Sequence, residues 1–231
     1  MDTNTTLSNL GSEDDVESCF SDDHTEANNR FKRASELVRE GKKALKAGGG
    51  NIEFKRKLVK NINVFSEKVE KATPKLNPEN EYQNMVLDQW IEELIRFLAL
   101  KTITGDYTEP CQLLPGHAVA LAWKVLMTSP SLYSKICTGM GNQTVFDHHP
   151  EDSVPSRVQE KQRVKRYNAT LRLYENYFDQ QPQPLYWSFH PKEKEEESAL
   201  QDFMNNLCGC DILADISKKS SSMSPSMPLT V

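Results

Sequence analysis

Hydrophobic positions recur every three or four residues along most of this chain, which is the period of an α-helix that packs on one side. The period is clearest over 80–103, where the apolar residues form one broad stripe: Leu87, Trp90, Ile91, Leu94, Ile95 and Leu98. Phe97 and Leu100 widen this stripe, so we expect the helix to be buried on more than one side. Gly105-Asp106 is expected to end it.

Two further amphipathic helices are predicted before it, over 27–47 and from 51 to the prolines at 74 and 78. Three consecutive glycines, Gly48 to Gly50, separate them, because glycine is a poor helix former and tolerates the left-handed angles of a turn. Asn51 is the expected N-cap of the second helix. We therefore predict a helical hairpin over 28–75.

Three more helical segments follow the broad stripe. The run 118–127 is almost entirely apolar and rich in Ala and Leu, which favours a buried helix over a strand. Ser129-Pro130 predicts the cap and the first position of the next helix, and a loop is expected over 139–152. A longer helix is predicted over 156–178, with an inner face formed by Val164, Tyr167, Leu171, Tyr174 and Phe178.

The end of the chain starts a new pattern. Residues 191–217 predict a C-terminal helix that opens with acidic residues, Glu193 and Glu195 to Glu197, which suit the positive end of the helix dipole. Its apolar residues are Leu200, Phe203, Met204 and Leu207. The segments 1–27 and 218–231 are poor in apolar residues, so burial cannot offset the entropy of ordering and both are predicted to be disordered.

Together these elements predict an all-α fold, a compact helical bundle core over 79–188 with an N-terminal helical hairpin and disordered tails. Leu185-Tyr186-Trp187 is expected to fold back onto the bundle. The residues expected to form the core are Trp90, Leu94, Leu98, Trp123, Tyr133, Tyr167, Leu171, Tyr174 and Trp187.

The composition also indicates the cellular compartment in which the protein is expected. Five cysteines without framework spacing indicate reduced thiols, and the N-terminus lacks the basic start and apolar run of a secretory signal. No run approaches the ~20 apolar residues that span a bilayer. We therefore expect an intracellular protein, cytoplasmic or nuclear. Cys208 and Cys210 have no second Cys or His pair near them, so packed free thiols are favoured over a metal site, a redox pair or lipid attachment.

Charge is more informative in its distribution than in its net value of -5. Acidic residues crowd the first thirty positions, and basic residues follow on the hairpin. The predicted binding face consists of Lys42, Lys43, Lys46, Lys55, Arg56, Lys57 and Lys60. Such a face suits an anionic partner: nucleic acid, acidic lipid or the chain's own acidic tail. A solvated helical face is the ordinary alternative, and it is slightly favoured.

Several short sequence motifs between residues 80 and 188 occur in an order that resembles that of a known family. They are Phe97-Leu98-Ala99-Leu100-Lys101, the run Val119 to Leu126 around Trp123, Pro130 to Tyr133, His148-His149-Pro150, Arg166-Tyr167 with Thr170-Leu171 and Tyr174, and Trp187. The set resembles the glycine-rich-domain-containing protein-like family, a helical domain of unknown function. The resemblance implies a helical fold and no defined activity.

The chain departs from that family at its polar positions. Where the family has Asp, His and His around its tryptophan, this chain has Ala120, Lys124 and Leu126. Lysine is cationic at neutral pH and a poor metal ligand, so a metal or acid–base site at these positions is expected to be lost.

His148 and His149 remain as candidate metal ligands, with Tyr133, Cys137 and His117 as additions whose spacing fits no metal pattern. Adjacent histidines do not easily face one site, so hydrogen bonding within a loop is the more ordinary role for this pair.

The sequence contains no phosphate-binding glycine loop, nucleophile elbow, His-Glu-x-x-His motif or recognisable carboxylate pair. We therefore expect a non-catalytic protein-interaction or scaffold module that has other proteins as partners and no cofactor. Two alternatives stay open: a metal-binding protein or enzyme with a rearranged histidine site, and a binder of nucleic acid or anionic membrane through the hairpin. The sequence sets no oligomeric state.

Overall fold

A computed structural model describes residues 18–68, 80–108, 112–146 and 157–189. The helices in these ranges are α1 (Ser18–Lys46), α2 (Gly50–Lys68), α3 (Glu81–Thr104), α4 (His117–Met127), α5 (Pro130–Gly139), α6 (Arg157–Phe178) and α7 (Pro184–Trp187), with a 3-10 turn at Ala47–Gly49. None of the described residues forms a strand, and the helices pack together. The predicted all-α bundle is confirmed.

Glycines make the turn between α1 and α2 for two different reasons. Gly48 and Gly49 have φ values of 65° and 79°, in the left-handed region that disfavours a Cβ atom. At Gly50 the backbone instead packs closely against other residues. A Cβ there would be 2.5 Å from the backbone oxygen of Leu45 and 2.8 Å from Cδ1 of Leu132. The turn therefore requires glycine for its angles and for its packing.

The central helix α3 is fixed at both ends. The side chain of Asn80 accepts a hydrogen bond from the backbone N–H of Gln83 at 3.1 Å, which satisfies a free donor of the first turn. Gly105, with φ 67°, ends the helix and donates its backbone N–H to the carbonyls of Lys101 and Thr102. Helices α1, α4 and α6 pack around α3, and the buried residues of α3 face all of them.

The junction between α4 and α5 differs from the prediction in one detail. Pro130 begins α5, but the Ser129 side chain makes no capping hydrogen bond to the helix. Its hydroxyl accepts a hydrogen bond from the Lys57 ammonium at 2.6 Å instead. The predicted cap is therefore a contact between α2 and the α4–α5 junction.

Helix α6 buries a narrower face than its pattern predicts. Thr170, Tyr174 and Phe178 are buried, whereas Val164, predicted on the inner face, is 39% exposed. Tyr167 and Leu171 are half-buried. The buried residues therefore concentrate in the C-terminal half of α6.

Helix α7 folds back onto α4, as expected from the aromatic residues it carries. Tyr186 and Trp187 are buried, and the backbone N–H of His117 donates to the carbonyl of Ser188 at 3.0 Å. A Cβ at Gly116 would lie 2.5 Å from Cα of Trp187. The approach of these two backbones therefore depends on glycine.

The hairpin and the bundle share one hydrophobic core. Helix α1 packs on α3, α5 and α6, and α2 packs on α4. The residues that the hairpin contributes to this core are Ala34, Leu45, Phe54, Leu58, Val59 and Ile62. The regions predicted as 28–75 and 79–188 are therefore continuous in packing over their described parts.

Helix α1 begins at Ser18, inside the segment 1–27 that the sequence assigns to a disordered tail. The remainder of that tail, the helix predicted over 191–217 and the tail 218–231 lie outside the described residues. Within the part of the chain that the structure describes, no helix combines the length and apolar character needed to cross a membrane.

Candidate functional site

Two lysines of the predicted binding face bind α3. The Lys42 ammonium lies 2.6 Å from a carboxylate oxygen of Glu92. That of Lys55 lies 2.7 Å from Asp88 and donates to the Asn84 side chain at 2.6 Å. Lys55 is only 12% exposed, so its charge is used within the fold.

Lys57 also turns toward the protein. In addition to its hydrogen bond with Ser129, its ammonium lies 3.1 Å from the Glu53 carboxylate one turn earlier in α2. Three of the seven predicted binding residues thus join the hairpin to the bundle or brace it.

The other four predicted residues, Lys43, Lys46, Arg56 and Lys60, are exposed. The only ion pair of this set within the described residues is a 3.7 Å contact between Lys43 and Glu40. These four side chains are the part of the predicted face that remains available to a partner.

Exposed polar residues of α1 continue this surface in a narrow line that we call the α1 stripe. Its members are separated by four, three, four and three residues, which places them on one side of the helix. They are Lys32, Glu36, Arg39, Lys43 and Lys46, and all are exposed. The stripe therefore presents four positive charges and one negative charge to solvent.

A partly buried charge network lies between the hairpin and α3. Glu92 joins Lys42 on one side to Arg96 on the other, at 2.9 Å. Burial acts to raise the pKa of Glu92, but hydrogen bonds and charge attraction from Lys42 and Arg96 outweigh it and lower that pKa below its ordinary value. Arg96 in turn donates to the Tyr174 hydroxyl at 2.6 Å. The network connects α1, α3 and α6.

Glu93 is the most enclosed member of this region and is fully buried. One carboxylate oxygen accepts hydrogen bonds from the Tyr174 hydroxyl and the Trp187 indole N–H, each at 2.8 Å. The other accepts from the Gln89 amide at 3.1 Å. Burial, followed by the Glu93 charge, raises the pKa of Tyr174 above its ordinary value, so the hydroxyl remains a donor even in alkaline solution. This carboxylate therefore ties α3 to α6 and α7.

A buried ion pair lies at the C-terminal end of α3. The Lys101 ammonium is 2.6 Å from the Asp106 carboxylate, and both side chains are almost completely buried. Asp106 also accepts from the backbone N–H groups of Gln112 and Leu113, at 2.8 and 3.1 Å. The pair thus holds the chain that leads from α3 toward α4.

The rings of Trp123 and Phe146 lie 5.5 and 5.7 Å from the Lys101 ammonium, within cation–π range. The Lys101 ammonium thus has an anion on one side and aromatic faces on the others. This arrangement suits a structural charge that water cannot reach.

The predicted histidine site cannot be assembled from the described residues, since His148 and His149 lie outside them. Tyr133 is engaged elsewhere: its hydroxyl accepts from the Trp123 indole N–H and donates to the Phe146 carbonyl, each at 3.0 Å. Burial raises the pKa of Cys137 to about 11, so its thiol is a poor nucleophile at neutral pH.

The three α4 residues at which the sequence predicts that a polar site is lost differ in their exposure to solvent. Leu126 is buried, Ala120 half-buried and Lys124 exposed. No group of three or more His, Cys, Asp or Glu within 18–68, 80–108, 112–146 and 157–189 could hold a metal ion. Cys208 and Cys210 lie outside these ranges.

Sequence reasoning overlooked Glu93, Lys101 and Asp106. A signal was present for two of them, because Glu93 follows Trp90 by three positions and Lys101 follows Leu94 by seven, both helical repeats of the apolar stripe. A charge inside such a stripe predicts a buried, paired group.

No protein-family model, curated protein or solved structure gives a significant match to this chain.

Proposed function

We propose that this protein is a non-catalytic interaction module whose α1 stripe binds an acidic segment of another protein. The division of the hairpin lysines carries the proposal. Lys42, Lys55 and Lys57 contact partners within the fold, whereas the stripe and the exposed Arg56 and Lys60 lie outside that network. The first group fixes the hairpin on the bundle, and the second group is exposed and can contact a partner.

A protein partner suits this surface better than a phosphate backbone. Glu36 lies within the stripe, and Glu40 contacts Arg39 at 3.2 Å and Lys43 at 3.7 Å. Carboxylates at these positions repel phosphates, whereas a polypeptide can place a cationic or neutral side chain opposite them. Mixed charge therefore favours a partner of mixed side chains with an acidic excess.

The chain's own acidic N-terminal cluster is too short to cover the stripe. The axis of α1 rises about 37 Å between Ser18 and Lys43 at about 1.5 Å per residue. The acidic residues from Glu13 to Glu17 directly precede α1, and such a short peptide extends about 18 Å at most. A separate chain is thus the better source of the acidic segment.

The resemblance of residues 80–188 to the glycine-rich-domain-containing protein-like family remains a proposal. The residues on which it rests lie in the core of this protein: Lys101 pairs with Asp106, and Tyr174 and Trp187 both donate to Glu93.

The test measures anisotropy of a fluorescein-labelled poly-glutamate peptide titrated with the full chain. The double reversal K43E/K46E should weaken binding by about tenfold, or ~1.4 kcal/mol, and added salt should weaken binding of the parent protein. The matched control K124E/K135E, on α4 and α5, should leave binding unchanged.

Equal losses in both variants would refute the assignment to the stripe. Tighter binding to duplex DNA or to phosphatidylserine vesicles than to the peptide, lost in K43E/K46E, would replace the protein partner by one of those alternatives. Binding whose affinity does not change with salt concentration would contradict all three kinds of anionic partner: an acidic peptide, DNA and a membrane.

A further inference from the structure

The exposed face of α6 carries a row of basic residues, on a different helix from the α1 stripe. Its members are separated by four, four and seven residues, so they project within about 80° of one another around the helix. They are Arg157, Lys161, Lys165 and Arg172, and all are exposed. We call this row the α6 line. It extends about 23 Å along the helix axis.

The α6 line differs from the hairpin surface in the carboxylates around it. On α1 and α2, basic side chains pair with glutamates one helical turn away, as in Arg30–Glu26, Lys43–Glu40 and Lys57–Glu53. None of the four side chains of the α6 line forms an ion pair with any residue that the structure describes. Of the acidic residues of α6, Glu160 pairs with Arg163 at 2.8 Å, and Glu175 lies beyond the end of the line.

This arrangement opposes the stability of α6 itself. Like charges one turn apart repel each other, and the line contains two such pairs, Arg157 with Lys161 and Lys161 with Lys165. Arg157 is also the first residue of the helix, where the positive end of the helix dipole disfavours a cation. A local cost of this kind is expected at a functional surface, and an anionic partner would relieve both kinds of repulsion.

The side chains around the line favour the phosphates of a duplex over other anions. A membrane surface requires large apolar side chains on the same face, but the exposed apolar residues of α6 are Val158, Val164 and Ala169. A single nucleic-acid strand stacks its bases on aromatic rings, and the exposed residues of α6 include no aromatic side chain. An acidic polypeptide suits a surface of mixed charge, such as the α1 stripe, better than one without carboxylates.

We infer that the α6 line binds the phosphate backbone of a nucleic-acid duplex. A duplex carries one phosphate charge per about 1.7 Å of its axis, so a basic face about 23 Å long meets a continuous row of anions. Contacts from Lys and Arg to phosphates hold a protein on a duplex but carry no sequence information, so the binding is independent of base sequence. The inference does not rest on the proposed function, because it concerns a different helix and a different kind of anion.

Salt-dependent anisotropy of a fluorescein-labelled DNA duplex of about 20 base pairs, titrated with the full chain, tests this inference. Four phosphate contacts predict that log Kobs falls with log salt concentration at a slope of about −3.6. The variant K161Q/K165Q should reduce this slope to about −1.8 and weaken binding at least about tenfold at ~0.1 M salt. A duplex of unrelated sequence should give the same results.

The fold of this variant should be preserved. Glutamine is nearly as good a helix former as lysine, and the substitutions remove repulsion between like charges. The melting temperature of K161Q/K165Q should therefore be no lower than that of the parent, which separates a loss of binding from a loss of structure.

The matched control K43Q/K46Q removes two exposed lysines from the α1 stripe and should change duplex affinity by no more than about twofold. The poly-glutamate peptide should show the reverse: K43Q/K46Q should weaken its binding, and K161Q/K165Q should not. Failure of the duplex inference and failure of the proposed function are therefore distinguishable.

Three results would overturn the inference. They are no binding of the duplex at ~0.05 M salt, equal losses of duplex binding in the two variants, and a salt slope of K161Q/K165Q that equals the parent's. Tighter binding to phosphatidylserine vesicles or to single-stranded DNA than to the duplex, lost in K161Q/K165Q, would also overturn it and would assign the line to that ligand instead.

Discussion

Charged residues in the interior and on the hairpin surface of this protein have opposite roles. Glu93 and Lys101 are fully buried, and each has a hydrogen-bond or ion-pair partner. The residues of the α1 stripe are all exposed, and two of them, Arg39 and Lys43, contact the neighbouring carboxylate of Glu40. Burial makes the loss of a partner costly, whereas water replaces a partner at the surface.

Lys42 lies between these extremes and shows how the two regions are connected. Its ammonium binds Glu92, which binds Arg96, which binds Tyr174, a donor to Glu93. The hydrogen-bonded chain therefore runs from the basic helix to the centre of the bundle. A substitution should cost more stability the deeper it lies in this series.

The largest loss is expected at the buried pair. Replacing Lys101 by methionine keeps most of the apolar stem but leaves the Asp106 carboxylate buried without its cation, which costs about 3–5 kcal/mol. Denaturant unfolding at neutral pH measures the loss. The exposed K135M is the matched control and should change the stability by no more than about 0.5 kcal/mol.

The second variant K101M/D106N separates lost charge pairing from lost packing. It should recover part of the stability that K101M loses, since it removes the uncompensated charge. If K101M were as stable as the parent protein, the Lys101–Asp106 pair would not stabilise the fold as its burial indicates.

A smaller loss is expected at the donors to Glu93. Trp187→Phe removes the indole N–H and leaves one carboxylate oxygen with a single donor, which costs about 1–3 kcal/mol. Tyr174→Phe removes the other donor and also the acceptor of the Arg96 guanidinium, so it should cost at least as much. Because both donors bind the same oxygen and their rings lie 5.1 Å apart, their double-mutant cycle should show coupling above about 0.5 kcal/mol. Additive losses would mean that the two contacts are independent.

The sequence predicts the scaffold well because the periodic apolar residues and the glycines act locally. The helix over 80–103 and the glycine at its end appear in the structure as α3 and the cap at Gly105. The three glycines likewise mark the turn between α1 and α2. Each depends on backbone angles or on one helical face, which neighbouring residues in sequence determine.

Side-chain partners are harder to predict because they are distant in sequence. Lys42 and Lys43 are adjacent and chemically identical, yet only Lys42 faces α3. Helical periodicity places Lys42 at the edge of the apolar face of α1 and Lys43 about 100° further round the helix, but it does not show that the partner of Lys42 is Glu92. The same reason explains Ser129, which has the right position for a cap but binds Lys57 instead.

Acid should weaken the link between hairpin and bundle at Glu92. Its pKa in the folded protein is lowered, against the effect of burial, by Lys42 and Arg96. The stabilisation is therefore complete above the ordinary value of 4.5 and is lost as the pH falls through the lower folded value. Between pH 7 and 3 the melting temperature of E92Q should fall less steeply than that of the parent. E36Q, on the exposed stripe, should follow the parent; equal slopes for E92Q and the parent would contradict the assignment.

The smallest effect on stability, and the sharpest contrast with the interior, is expected on the α1 stripe itself. Lys43→Ala and Lys46→Ala remove exposed ammonium groups, so each should change the free energy of unfolding by no more than about 0.5 kcal/mol. The same substitutions should weaken binding of the poly-glutamate peptide, whereas Lys42→Ala should lower stability and affect binding mainly through that loss. If Lys43→Ala destabilises the protein as much as Lys42→Ala, the stripe belongs to the fold, and the distinction between charges that hold the hairpin and charges that face a partner is wrong.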